Sequence, residues 1–182
     1  MKLETERLLL RPWKSEDSEA FAQLNANVEV MRYFPHTLSK RESDELLAKF
    51  QARFETQGGW GLWATIEKTS GALIGFVGLN RPEYALPSSP CVQVSWRLLP
   101  DFWGKGYATE AANAALKFAF NALNLDEVVA FTTLNNTPSQ RVMQRLKMQL
   151  HGQFTHPLLE VSHPLALHVL YKLTKKAWAA TQ

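Results

Sequence analysis

The sequence predicts an α/β fold in which helices flank a central mixed sheet. Two observations indicate this fold. Apolar strand-like runs alternate with amphipathic helical segments through the second half of the chain. Hydrophobic residues make up 46% of the 182 residues, which is enough to build a full core. Because neither a linker nor an internal repeat interrupts the pattern, residues 1–182 are expected to form a single domain.

The first half of the chain is predicted to hold three strands and two helices. Ser15 precedes acidic residues, as expected where a first helix starts. Ser39 and Glu42 have the spacing of a capping box for a second helix, and glycines at 58–59 end that helix. The β-rich runs that predict strands cover residues 7–13, 60–66 and 73–79.

The second half begins with a loop over residues 82–90, which hold three prolines and two serines. A helix rich in alanine is predicted over 109–123. Thr137 is expected to cap a further helix, with Pro138 at its favoured first position. Predicted strands cover residues 92–99, 128–133, 150–154 and 169–173.

Composition and charge narrow the classes of function. The net charge of +3 suits a polyanionic ligand, but no long Lys/Arg run is present, so direct nucleic-acid binding is not expected. The single Cys91 excludes an intrachain disulfide. The chain has no signal-like start and no membrane-length apolar run, which predicts a cytoplasmic protein without a membrane partner. The protein is expected to be either a monomer or a homodimer. The histidines lack ligand-like spacing, so no metal is expected.

The most informative segment is residues 103–110, Trp-Gly-Lys-Gly-Tyr-Ala-Thr-Glu, which follows a strand-like run and opens a helix. Glycines let the backbone approach a ligand closely, and the first turn of a helix has free N–H groups at the positive end of its dipole. Together these features predict a cradle for a pyrophosphate. The spacing matches neither the nucleotide-triphosphatase loop nor the dinucleotide fingerprint.

This segment resembles the acetyl-CoA loop of the GNAT N-acetyltransferases, in the form found in their ribosomal-protein (RimJ/RimL-like) branch. Gly106 and Ala108 fit the last two motif positions, while Trp103 stands where Arg or Gln is usual. Further similar segments follow in the order of the family, at residues 4–13, 27–34, 135–146, 154–157 and 168–171. The resemblance implies a single-domain GNAT fold whose largely antiparallel, twisted sheet splays apart at the donor site.

The resemblance also implies acetyl-CoA as the acetyl donor, held between residues 96–99 and 131–133 largely through backbone groups. A backbone N–H near Leu98 is expected to stabilise the developing oxyanion. Asn136 is expected to bind the donor through its side chain, because Thr137 can serve as the helix cap instead. The implied cofactor-binding residues are Arg97, Leu98, Leu99, Gly104, Lys105, Gly106, Tyr107, Ala108, Thr109, Asn136 and Ser139.

Two residues are candidates for a catalytic role, Gln93 and Ser139. Gln93 stands where the branch usually has a glutamate, and an amide cannot accept a proton from the amine. This departure favours an acceptor with a weakly basic α-amine (pKa ~8) over a lysine amine (~10.4). Ser139 is a candidate acid for the leaving thiolate, or else a hydroxyl that only bonds to the helix start. Lys147 replaces a usual glycine, so the turn at that point is expected to differ.

The sequence therefore predicts an acetyl-CoA-dependent N-acetyltransferase that acts on a primary amine by direct attack in a ternary complex. The acceptor is either a protein N-terminal α-amine or a small molecule. The alternative is a catalytically idle acyl-CoA-binding or sensing module of the same fold, which Gln93 keeps open.

Overall fold

The computed structural model describes residues 1–182. Eight strands and five helices follow one another along the chain, and two short 3₁₀ segments lie at Ser15–Asp17 and Pro100–Phe102. The strands are β1 Leu3–Glu4, β2 Leu8–Arg11, β3 Leu62–Glu67, β4 Leu73–Asn80, β5 Gln93–Leu98, β6 Glu127–Thr133, β7 Gln149–Thr155 and β8 Leu167–Thr174. The helices are α1 Ser18–Ala26, α2 Lys40–Thr56, α3 Tyr107–Asn121, α4 Thr137–Arg145 and α5 Lys175–Ala179.

The strands form one mixed sheet in the order β1-β2-β3-β4-β5-β6-β8-β7. Most pairs are antiparallel, and β5 pairs in parallel with β6. This architecture confirms the predicted α/β fold. The backbone contacts group into two compact units, and β5 and α3 each contribute residues to both.

The first unit comprises residues 1–79 and 95–115. Its core contains a cluster of aromatic rings, in which Phe50 lies 5.7 Å from Phe21 and 5.3 Å from Phe76 between ring centroids. Helix α2 buries one apolar side here, and its first turn is closed by the predicted capping box of Ser39 and Glu42. Other buried members of this core are Trp13, Leu24, Val30, Met31, Leu47, Leu62 and Ala64.

The second unit comprises residues 80–94 and 116–182. Strand β6 lies at its centre, paired with β5 at Gln93 and Val129 and with β8 along its whole length. Helix α5 packs at one end, where Trp178 contacts Phe120 at 5.2 Å between ring centroids. Because β6 and β8 are paired along their length, their register is fixed, and alternate side chains of each strand lie on opposite faces of the sheet.

Three local predictions were wrong. Ser15 does not cap the first helix but lies inside a 3₁₀ segment, and α1 begins at Ser18. Asn136, rather than Thr137, caps α4. The turn at Lys147 keeps the geometry that glycine would give, since Lys147 adopts a φ of 62°. A separate observation concerns membranes: none of the five helices combines the length and the apolar character that a membrane-spanning helix needs.

Candidate functional site

The turn between β5 and α3 presents a row of unused backbone donors. None of the backbone N–H groups from Gly104 to Thr109 donates a hydrogen bond within the protein; the first helical bond runs from Glu110 to the carbonyl of Gly106 at 3.0 Å. Gly104 and Gly106 have φ values of 72° and 81°, which ordinary residues rarely adopt. The hydroxyl of Thr109 is buried without a partner. A row of unused N–H groups at a helix start favours an anion.

An ion pair between Arg7 and Glu110 holds this turn in place. The carboxylate of Glu110 accepts from Arg7 Nε at 2.7 Å, from the Arg7 backbone N–H at 2.9 Å and from the Thr5 hydroxyl at 2.5 Å. Arg7 also donates to the carbonyl of Lys105 at 2.9 Å. Burial opposes ionisation of Glu110, but these hydrogen bonds outweigh it and hold the pKa of Glu110 below its ordinary value. The turn is therefore anchored by a charged pair that is independent of any ligand.

Two aromatic residues of the motif have structural roles that the sequence did not reveal. Trp103, at the position where Arg or Gln is usual, donates its indole N–H to the carbonyl of Leu98 at 2.8 Å. Tyr107 stacks under the guanidinium of Arg7 at 4.4 Å and donates its hydroxyl to Glu67. Both contacts fix the start of α3 relative to the strands of the first unit. The partners of Tyr107 are distant along the chain, and the carbonyl that Trp103 reaches is a backbone group that any residue would supply, so no sequence motif reports either contact.

Three predicted donor-binding residues, Arg97 and Leu98 at the end of β5 and Leu99 just after it, differ in which hydrogen-bonding groups they have free. The N–H of Leu99 donates to the carbonyl of Ile74 at 2.8 Å, so it is already used in the sheet. Because backbone groups alternate along a strand, the N–H of Leu98 points to the opposite edge, away from Ile74. The side chain of Arg97 turns into the first unit and donates to Asn25 at 2.7 Å.

The remaining candidates lie in the second unit. Gln93 is half-buried at the start of β5. Asn136 uses its carbonyl oxygen to accept from the backbone N–H of Ser139 at 3.2 Å and its amide to donate to Thr132 at 2.9 Å. The argument that Asn136 is spared from capping was therefore wrong, although one amide hydrogen and one lone pair of its side chain stay unused. Ser139 is half-buried in the first turn of α4.

A family model described as "Acetyltransferase (GNAT) domain" matches residues 7–149. The chain belongs to the GNAT acetyltransferase family. As an N-acetyltransferase of this family it uses an acyl-CoA donor. The match covers β2 to the start of β7 and so includes the glycine turn and all of the candidate residues named above.

Individual relatives agree with this assignment. The GNAT enzyme is 29% identical over 154 residues to an uncharacterized N-acetyltransferase, YnaD, of Bacillus subtilis (strain 168), covering 85% of this chain and 86% of the relative. It is 25% identical over 154 residues to a spermidine N(1)-acetyltransferase of Escherichia coli (strain K12), covering 81% and 75%. The ribosomal-protein-S5-alanine acetyltransferase of Vibrio fischeri has the same fold, with a TM-score of 0.76, 18% identity and 98% of each chain covered.

The residues of the glycine turn fit an acyl-CoA donor. Six unused N–H groups and the orphaned Thr109 hydroxyl suit the oxygens of a pyrophosphate, and a Cβ built on Gly104 would meet nothing within 4 Å. No group of three or more His, Cys, Asp or Glu side chains is arranged to hold a metal ion. His156 and His168 do lie 4.9 Å apart between ring centroids, and burial lowers the pKa of both.

Proposed function

We propose that this GNAT enzyme transfers an acetyl group from acetyl-CoA to a primary amine, which attacks the thioester directly while donor and acceptor are bound together. The observation that carries the proposal is the glycine turn, where the N–H groups of Gly104 to Thr109 have no partner in the protein. The positive end of the α3 dipole adds to the attraction for phosphate. We assign this turn to the donor's pyrophosphate.

The chemistry asks little of the protein beyond placement. The donor supplies a reactive thioester when bound. The amine nitrogen forms a bond to the acetyl carbon, the carbon–sulfur bond breaks, and the amine loses a proton. The Leu98 N–H, on the strand edge away from Ile74, is our candidate to stabilise the negative charge that develops on the acetyl oxygen.

Proton transfer falls to Ser139 and to solvent. We assign to Ser139 the donation of a proton to the departing thiolate. Gln93 has no titratable group, so its amide orients a water molecule or the amine, and the amine's proton leaves through solvent. An acceptor that is already largely neutral at physiological pH suits such a site, because no carboxylate is present at residue 93 to deprotonate it.

This argument favours an α-amine over an alkylamine as the acceptor. An α-amine has a pKa of ~8 and an alkylamine one of ~10.4, so the neutral fraction at neutral pH differs by more than a hundredfold, about 2.4 pKa units. Among the relatives, the Vibrio fischeri protein is named for an alanine of a ribosomal protein and the Escherichia coli protein for spermidine. We propose that the acceptor of this enzyme carries an α-amine, like an alanine at a protein N-terminus, rather than the alkylamines of a polyamine such as spermidine.

The test is release of CoA from acetyl-CoA with two matched sets of peptides. One set has a free N-terminus and no lysine, and the other has a blocked N-terminus and one lysine. We expect turnover with the first set to exceed that with the second. Equal rates would contradict the α-amine preference, and tight acetyl-CoA binding without turnover of any amine would favour the idle acyl-CoA-binding module.

A further inference from the structure

A cavity of about 340 Å³ that is widely open to solvent lies in the first unit beside β5. Its apolar wall includes Met31, Phe34 and Leu46, and the side chain of Arg97 also lines it. Pockets that hold small ligands begin at about this size and combine an apolar wall with a few polar groups. Because Arg97 precedes Leu98, the cavity borders the strand that we assign to donor binding.

Arg97 is a cation without an anionic partner. Its only hydrogen bond goes to the neutral amide oxygen of Asn25 at 2.7 Å, and its buried Nε has no partner. The guanidinium stacks on Phe34 at 4.4 Å and on Phe76 at 5.1 Å. Burial lowers the pKa of Arg97 to about 10, so the side chain still carries its charge at neutral pH.

Two other arginines, Arg11 and Arg7, each have a carboxylate partner within the protein, unlike Arg97. Arg11 forms a two-pronged bond to Asp17 at 2.7 and 2.8 Å, and Arg7 is paired with Glu110. Arg97 is half-buried, and a charge that is partly removed from water is costly unless it is paired, a cost that stacking on aromatic rings compensates only in part. The position of Arg97 therefore favours an external anion.

The other charged groups of the cavity leave room for that anion. Glu42 accepts the backbone N–H of Ser39 at 2.7 Å, and Glu45 is paired with Arg41 at 3.0 Å. Lys49 adds a second positive charge to the lining. Both carboxylates thus already have a partner within α2 or its cap, whereas the guanidinium is bonded only to the neutral amide of Asn25.

We propose that Arg97 binds a carboxylate of the acetyl acceptor, so that the enzyme acts on amines that carry a carboxylate and discriminates against polyamines. The inference rests on the proposed function. A guanidinium presents parallel donors that match a carboxylate, and its stacking on Phe34 limits the geometries that it samples. A second ammonium group on the acceptor would instead meet a like charge, which disfavours its binding.

The experiment uses a ladder of glycine peptides with a free α-amine, from glycine to tetraglycine, so that the carboxylate lies at increasing distance; each is compared with its own C-terminal amide and with a diamine of similar length. The intact enzyme is assayed with acetyl-CoA. For each enzyme the KM of the amide is divided by the KM of the acid, which gives the preference for the acid. The readout is this preference in the wild type divided by that in Arg97→Gln. Dividing the two ratios cancels differences in amine pKa between acid and amide.

We expect the acid to be favoured by about tenfold or more at one or two chain lengths, as is typical of a charge-assisted bond. Arg97→Gln should abolish the preference and Arg97→Lys should retain part of it. The control Arg145→Gln, which removes an exposed charge from α4, should leave the preference unchanged. A ratio near one at every length would overturn the carboxylate site.

Calorimetry keeps the two proposals distinguishable and does not depend on whether a variant folds. The wild-type enzyme is titrated with the preferred glycine peptide, with its amide and with propionate. Tighter binding of the acid than of either reference supports the site even if no amine is turned over, a result that would reject the proposed function alone. Equal binding of acid and amide rejects the site while turnover continues to support the function.

Discussion

Residue 93 is the position at which we expect a single side chain to affect the reaction most. The amine must lose a proton during acetyl transfer, and Gln93 cannot take it. Gln93 is half-buried at the start of β5, so a group at this position neither lies in the core nor stands fully in solvent. We assign it to the acceptor side of the site, where its identity sets which amines react.

Gln93→Glu should raise turnover, because a carboxylate of the same shape can accept the amine's proton. The gain should be largest at low pH and with strongly basic amines, for which the neutral fraction is smallest. The measurement is kcat/KM across pH for an α-amine peptide and a lysine peptide. Gln153→Glu, which adds the same charge at an exposed site on β7, is the control. Flat or reduced activity across pH and amines would count against the base argument.

Ser139→Ala should lower kcat while leaving acetyl-CoA affinity nearly unchanged. The effect should lie near the low end of the 10²–10⁴-fold range usual for acid–base groups, roughly 100-fold, because a thiolate of pKa ~8.5 is already a fair leaving group. The backbone bond from residue 139 to Asn136 survives the substitution. Steady-state kinetics and calorimetry separate the outcomes. A loss of affinity at constant kcat would make Ser139 a donor contact, and a loss of thermal stability alone would make it a helix-start hydroxyl.

Single residues were predictable where one local rule decides them. The glycines of residues 104–106 follow from a turn that requires positive φ. The capping role of Asn136 could not be predicted, because Asn136 and Thr137 are both good caps and only the path of the chain selects between them. The pair of Arg7 and Glu110 was not foreseen, because its members are 103 residues apart in sequence.

At the scale of an element, helix α4 ends in a Schellman motif that has a lysine where glycine is usual. The N–H of Lys147 donates to Gln144 at 2.9 Å and that of Met148 to Met143 at 3.0 Å. The φ of Lys147 is 62°, in the left-handed region that costs an ordinary residue about 1–2 kcal/mol. The hydrogen bonds and the burial of Met143 and Met148 outweigh that cost.

Lys147→Gly should therefore stabilise the protein. Relief of the backbone strain exceeds the extra chain entropy of glycine, about 0.5–1 kcal/mol, by roughly 0.5–1 kcal/mol. Thermal unfolding should show a rise in Tm of roughly 1–4 °C. Asn124→Gly is the control, because Asn124 also has a positive φ of 52° but tolerates it and bonds to Lys175. A lower Tm for Lys147→Gly would show that the lysine side chain has a stabilising role.

Elements were predictable in kind and less so at their ends. The capping box of Ser39 and Glu42 placed the start of α2 correctly, because both partners lie within four residues of each other. The start of α1 was misplaced, because Asp17 bonds to Arg11 and the chain enters the helix through a 3₁₀ turn. Boundaries that depend on tertiary partners are not written in a local pattern.

At the scale of the whole molecule, the buried His168 and the half-buried His156 link stability to pH. Desolvation lowers the pKa of His168, and desolvation together with the nearby His168 lowers that of His156. The folded protein keeps both rings neutral where the unfolded chain would protonate them. Stability is therefore full above the unfolded pKa of ~6.5 and is lost as pH falls from there toward the folded pKa values.

His168→Phe should reduce this loss of stability between pH 7 and pH 5. His168 is only 9% exposed and packs 5.6 Å from the ring of Phe154, so an aromatic replacement preserves the contact. Urea unfolding at several pH values measures the slope, which for one such histidine is at most about 1.4 kcal/mol per pH unit. The control His151→Gln changes an exposed histidine of β7. An unchanged slope in His168→Phe would mean that other groups govern the acid sensitivity.

The central claim is that backbone amides of the glycine turn hold the donor's pyrophosphate, and Gly106→Val tests it most directly. Gly106 has a φ of 81°, so a β-branched residue forces the turn to re-aim its N–H groups. Gly58→Val imposes similar strain at a φ of 77° beyond the end of α2 and has open space around it. Calorimetry with acetyl-CoA should show about tenfold or greater weakening for Gly106→Val, and unchanged affinity for Gly58→Val. Wild-type affinity in a folded Gly106→Val protein would contradict the account.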